Sequence, residues 1–185
     1  MAHRVCPWWL GYLLASPLRR LMQDPRKVLA PFVREGMTVL EPGPGLGFFT
    51  LELARLVGPS GRVVAVDIQP RMLASLKRRA ARAGLRERVD ARLAQPQTMS
   101  IGDLVGSVDF TLAFALVHEL PAAQPFFAEV AAASKPRAGL LFVEPSGHVK
   151  SPVFDGELNA AIEAGFEVVE RPAIRRSHAA FLRRV

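Results

Sequence analysis

The chain carries one cysteine, Cys6, in 185 residues, so it can form no internal disulfide and has no multi-thiol chemistry. That usage suits a reducing compartment, and a cytoplasmic location is expected. The four histidines are scattered. No His, Cys or carboxylate cluster stands at metal-ligand spacing, so no metal is expected. No apolar run is long enough to span a bilayer, so no transmembrane segment is expected. Internal repeats, low-complexity tracts and linkers are also missing. Aromatic residues make up only 8%. None interleaves with the basic patches Lys77-Arg78-Arg79 and Arg82 to Arg88, as a stacking platform for single-stranded nucleic acid requires. Acids are the minority charge, 17 against 24 Lys and Arg, giving a net charge of +7. The basic excess leaves nucleic acid open as a partner without favouring it, because solvated helix faces account for scattered charge.

Half of the residues are apolar. The length suits one well-buried domain and is short for two. The N-terminus imitates a secretory signal, with His3-Arg4 before the apolar stretch Val5 to Ala15. Pro7 interrupts that stretch, and no small-x-small cleavage site follows. Residues 1–24 are therefore expected to form an aromatic cap, with a targeting segment and an interfacial membrane anchor as the alternatives. Trp8, Trp9 and Tyr12 would then line an apolar acceptor pocket. Residues 25–185 are expected to form a single domain.

The most informative segment is Val39-Leu40-Glu41-Pro42-Gly43-Pro44-Gly45-Leu46-Gly47. It reads as a buried strand ending in an acid, then a glycine-rich loop, then a helix start. Glycines leave no side chains between the loop and a ligand. Loop amides and a following helix N-terminus suit a carboxylate or phosphate. A second acid, Asp67, ends the next apolar run, Val63 to Val66. Two acids suit amine and hydroxyl donors. S-adenosylmethionine presents an amino acid head, a ribose diol and an adenine, which match all of these. A dinucleotide fits less well. The third glycine of its G-x-G-x-x-G fingerprint is one position early here, and Glu41 would lie close to a pyrophosphate.

Strand-like runs alternate with helical patterns, which favours a parallel sheet covered on both faces. Strands are expected at 38–41, 63–67, 89–93, 108–114, 140–144, 166–170 and 179–184. Helices are expected at 25–33, 47–57, 70–83, 122–134 and 154–164. Asp24 is the expected N-cap of the first helix, with Pro25 at N1. Ligands of such sheets bind outside the carboxyl ends of the strands. Glu41, Asp67, Phe114 and Glu144 all stand at those ends.

On these motifs the chain resembles the class I, Rossmann-like S-adenosylmethionine-dependent methyltransferases. Val39 to Gly47 is similar to their first motif, and Val64-Ala65-Val66-Asp67-Ile68 to the second. Val108 to Phe114, followed by His118-Glu119-Leu120-Pro121, is similar to the fourth strand and the segment after it. Gly139 to Pro145 is similar to the fifth. The likeness runs over about residues 26 to 185. It implies an α/β fold with a seven-stranded, mostly parallel sheet, helices on both faces and an antiparallel last strand. It also implies that Gly43, Gly45 and Gly47 form the cofactor loop, with Glu41 at the donor's ammonium group. Asp67 is implied at the ribose hydroxyls, Ile68 at the adenine and Phe114 at the same sheet edge. Many members hold the adenine amino group with an acid after strand three. Here Gln95 stands in that segment and offers an uncharged carbonyl.

Family substrates approach the methyl group after strand four, where His118 and Glu119 lie. His118 has an ordinary pKa near neutrality and is the candidate general base; a structural role competes. His118 and Glu144 are also candidate substrate contacts. His148 is expected on a surface loop. Ala113-Phe114-Ala115-Leu116 is not the Asn/Asp-Pro-Pro-aromatic segment of amino-methylating nucleic acid enzymes. Cytosine C5 methylation needs a cysteine near the site. The expected function is therefore metal-independent methyl transfer to a small or moderately apolar acceptor. A catalytically silent cofactor-binding regulatory module and an RNA methyltransferase are the alternatives.

Overall fold

The computed structural model describes residues 24–185. These fall into two compact units, one ending at Ser100 and the other running Ile101–Val185.

The first unit opens with helix α1, Pro25–Leu29. The Asp24 carboxylate accepts the Arg26 N–H at 3.0 Å, so the expected cap is present. The helix is shorter than expected because the chain turns after Leu29. Strand β1 is Thr38–Pro42, helix α2 Thr50–Leu56 and strand β2 Arg62–Asp67. Helix α3 is Pro70–Arg82 and strand β3 Val89–Leu93. The three strands pair in parallel, with Val39 beside Val63 and Asp67 beside Leu93. Val39, Leu40, Val63, Val64 and Ala65 are all fully buried, which is why these strands read as unbroken apolar runs. In α3, Met72, Leu73, Leu76 and Ala80 form one buried stripe. Lys77, Arg78 and Arg82 are exposed. Gly84, at φ +69°, follows the helix in the left-handed conformation that commonly stops one.

In the second unit, strand β4 is Val108–Phe114, helix α4 Ala123–Ala133 and strand β5 Ser134–Pro145. Helix α5 is Ser151–Glu163, strand β6 Phe166–Glu170 and strand β7 Ser177–Arg184. Strand β4 runs parallel to β5, and β7 runs antiparallel to both β5 and β6. An aromatic core holds this unit. Phe142 stacks on Phe154 with ring centres 4.9 Å apart and meets Phe127 edge-on at 5.5 Å. These contacts fix β5 against α4 and α5, so they set the side chains of both elements.

Strand β5 was expected from Leu140 and instead begins at Ser134, directly after α4. Its early part includes Pro136 and an irregular register between Val108 and Phe110 of β4. Proline is tolerated where a ladder is already broken. All seven strands belong to one sheet, in the order β3-β2-β1-β4-β5-β7-β6. Among the described residues no helix is long and apolar enough to cross a membrane.

Candidate functional site

In the first unit, the loop between β1 and α2 is built from residues that only glycine serves without strain. Gly43, Gly45 and Gly47 have φ of +66°, +54° and +83°. The Gly43 N–H donates to the Val66 carbonyl at 2.8 Å, which ties the loop to the end of β2. The Arg79 guanidinium of α3 donates to the Leu46 carbonyl at 2.5 Å. At Gly47 a Cβ would also run into the Leu76 side chain. Helix α2 begins at Thr50, three residues later than expected, because the turn continues through Phe49. The loop therefore does not end in the N-terminus of a long helix. Its own backbone is what a ligand would meet.

Glu41 sits beside this loop at 3% exposure, and its Oε2 atom has no hydrogen-bond partner. Burial pushes its pKa up to about 8. The Thr50 hydroxyl opposes that shift without forming an aligned hydrogen bond, and the Asp67 charge adds to it. Asp67 ends the neighbouring strand and accepts the Gln69 N–H at 2.8 Å. Next to it, the apolar side chains of Ile68 and Leu93 are 44% and 53% exposed. Gln95 pairs through its backbone N–H with the Thr98 carbonyl at 2.9 Å, and its side chain is exposed. An amino acid ammonium fits this arrangement, since it supplies both the donor and the charge that the buried Glu41 carboxyl lacks.

The second unit holds a separate set of polar groups. Glu144, at the end of β5, is completely buried. Its Oε1 accepts the backbone N–H groups of Val117 at 2.7 Å and His118 at 3.3 Å. Its Oε2 accepts the His118 Nδ1–H at 2.5 Å. The hydrogen bond that His118 donates to Glu144 holds the His118 pKa above its usual 6.5, against the opposing effect of burial. The charges of Glu144, Glu119 and Glu157 add to the rise. On its other side, His118 Nε2 lies 3.1 Å from Nε2 of His148. Glu157 of α5 has a buried Oε2 without a hydrogen-bond partner. Burial and then the Glu144 charge push its pKa up to about 7, with His118 opposing.

The turn that carries His118 is strained. Ala115 has φ +53°, a left-handed conformation unfavourable for a residue with a Cβ. Its N–H donates to the Val143 carbonyl at 2.8 Å, which holds the strain in place. We expect Ala115→Gly to stabilise the protein by about 0.5–1 kcal/mol, the relief of strain outweighing glycine's greater unfolded freedom. Chemical denaturation checks this, and a destabilised variant would mean that the conformation carries no strain.

Glu41 and Asp67 thus stand together with the glycine loop, and His118 with Glu144. Phe114 is half-buried at the end of β4. Trp8, Trp9 and Tyr12 lie outside the described residues. His148 and Glu157 were not among the expected site residues. Glu157 had a signal: it falls between Phe154, Leu158 and Ala161 on the buried face of α5, where a carboxylate is out of place. His148 had none, because its contact with His118 spans 30 residues of sequence.

A parallel α/β sheet with a glycine loop after β1 and acids ending β1 and β2 defines the Rossmann-like methyltransferase class of fold. The chain belongs to the S-adenosylmethionine-dependent methyltransferases: residues 33–177 match the family described as a methyltransferase domain. The crystal structure of an S-adenosylmethionine-dependent methyltransferase from Aquifex aeolicus superposes with a TM-score of 0.86 at 26% identity, covering 98% of this chain and 100% of that one. A ubiquinone biosynthesis O-methyltransferase of Methylocella silvestris is 34% identical over 100 residues, 53% of this chain and 37% of that protein. An arsenite methyltransferase of Halobacterium salinarum is 33% identical over 92 residues, 50% of this chain and 23% of that protein. The matched segments therefore span well under half the length of these curated relatives, whose acceptors differ.

Proposed function

We propose that this protein transfers a methyl group from S-adenosylmethionine to an acceptor atom that must give up a proton, a hydroxyl or phenol of a small or moderately apolar molecule. The observation that carries the acceptor class is the His118–Glu144 pair, an imidazole oriented through Nδ1 by a fully buried carboxylate. Such a pair gains nothing for an acceptor with a free lone pair, and serves one that must be deprotonated. The O-methyltransferase likeness agrees with it.

S-adenosylmethionine supplies the electrophilic methyl group. Glu41 receives its ammonium, Asp67 the ribose hydroxyls, and the Gly43–Gly47 backbone its carboxylate. Ile68 and Gln95 flank the adenine, and Phe114 is assigned to the cofactor. His118 is the imidazole on which the acceptor's proton comes to rest, and Glu144 holds that ring in the Nδ1–H tautomer. Trp8, Trp9 and Tyr12 are assigned to cover the acceptor. Among the described residues no three His, Cys, Asp or Glu side chains come together to hold a metal ion. The proposal assigns the acceptor's proton to an imidazole.

Calorimetric titration with S-adenosylhomocysteine tests the donor half. Binding is expected, and Asp67→Ala should weaken it by roughly tenfold to a hundredfold, the value of hydrogen bonds to a charged group. Unchanged affinity in that variant would remove Asp67 from the site. Labelled donor offered with phenols and with amines tests the acceptor half, and label on amines alone would contradict it.

A second reading, an RNA acceptor, draws on the exposed cations Lys77, Arg78, Arg82 and Arg86. It requires RNA affinity that falls steeply between low and physiological salt. A catalytically silent module would bind the cofactor and label no acceptor.

A further inference from the structure

We propose that Glu144, His118 and His148 form a proton relay in which His148 is the outward end and His118 the inner store. The proposal rests on the methyl-transfer reading above. It starts from the valences of His118. Both ring nitrogens are engaged, Nδ1 with Glu144 at 2.5 Å and Nε2 with His148 at 3.1 Å. A neutral His118 held in the Nδ1–H tautomer therefore has no lone pair free for an acceptor. His148 is exposed, and its ring meets that of His118 edge-on with centres 4.9 Å apart. Two nitrogens at hydrogen-bond distance require one donor and one acceptor. With His118 Nε2 as the acceptor, His148 is the Nε2–H tautomer, and its Nδ1 lone pair is left outermost.

The proton accounting then closes. The acceptor's O–H bond breaks and its proton joins His148 Nδ1. The Nε2–H proton of His148 passes to His118 Nε2. His118 becomes an imidazolium, still bonded through Nδ1–H to the Glu144 carboxylate. One methyl group replaces one proton on the acceptor oxygen, and the proton later returns through His148 to water.

The surroundings favour a cation at the inner position. Glu144 comes from β5, Glu119 from the turn after β4, and Glu157 from α5. Each favours the charged form of His118. His178 of β7 is held by the Val149 carbonyl at 3.1 Å and stands beside Glu144 in the β5–β7 register. The store is therefore only 16% exposed, and three carboxylates act on it in the same sense. An exposed histidine with no such neighbour would exchange its proton directly with water.

The test is histidine ring 15N NMR of the full chain across pH, with S-adenosylhomocysteine binding measured on the same samples. The expected result is His118 protonated at Nδ1 and not at Nε2 in its neutral form. The His118 ring should titrate in more than one step, as a group coupled to a neighbour does. His148→Gln replaces a surface side chain and should leave the fold intact. In that variant the His118 titration should narrow to a single step. A His118 curve identical in wild type and variant, or neutral His118 carrying its proton on Nε2, overturns the relay. Retained cofactor binding alongside either result leaves the methyl-transfer reading standing. Loss of cofactor binding in the wild type removes that reading, and the relay with it.

Discussion

Glu41→Gln should raise the melting temperature of the cofactor-free protein by roughly 10 °C at pH 7 and by almost nothing at pH 4.5. The folded protein holds the Glu41 proton up to about pH 8, whereas the unfolded chain releases it near 4.5. Below the lower value both states are protonated and nothing is lost. Between the two, the unfolded state gains from ionising and the folded state does not. Stability therefore falls as pH rises through that window, by on the order of 3 kcal/mol at pH 7. Glutamine has the same shape and no ionisation, so it removes the loss. The same change should weaken S-adenosylhomocysteine by roughly tenfold to a hundredfold, since the ammonium loses a charged partner. Differential scanning fluorimetry at the two pH values checks the first half, and calorimetry the second. An equal shift at both pH values would mean that ionisation of Glu41 is not the cause.

Removing the Glu144 carboxylate should be the most damaging single change in the second unit. Glu144→Ala leaves the Val117 N–H and the His118 ring and backbone donors without their acceptor. Breaking a buried, charge-assisted network of this kind costs about 3–5 kcal/mol, a fall in melting temperature of roughly 10 °C or more. Glu144→Gln keeps the shape and isolates the electrostatic part. His118 has a raised folded pKa, so the stability it contributes is complete below 6.5 and is lost as pH rises through the folded value. The gap in stability between wild type and Glu144→Gln should accordingly be widest in mild acid and close in alkali. Methyl transfer to a phenolic acceptor should fall by on the order of 10² to 10⁴, the usual value of a positioned base. The acid limb of its pH profile should move to lower pH. A variant with the wild-type limb would show that Glu144 does not control the imidazole.

The first unit was the more legible in sequence. β1 and β2 are short unbroken apolar runs that each end in one acid, a pattern with few structural alternatives. Glycines at 43, 45 and 47 announce a backbone that side chains cannot follow, and all three adopt positive φ. The start of α2 was misplaced because Phe48 and Phe49 look helical, while the left-handed Gly47 continues the turn. The second unit resisted where local chemistry and tertiary pairing disagree. A helix was expected through Ser134 and a strand only from Leu140, yet β4 draws the chain into β5 from Ser134 onward. Glu144 reads as a candidate substrate contact at a strand end, and its full burial becomes understandable only once three donors converge on it. The partners of His118 come from 26 and 30 residues away, a separation no periodicity records.

The position of β7 constrains the order of assembly. β6 is made before β7, yet β7 is its hydrogen-bonding neighbour and lies between it and β5. As the polypeptide leaves the ribosome, residues 166–170 have no ladder to join until residues 177–184 emerge. β5 meanwhile presents an open edge of the sort that recruits foreign strands. Nascent chains stalled before Ser177 should therefore be the form that calls on chaperones. A C-terminal deletion of this strand should yield insoluble protein rather than a smaller folded one.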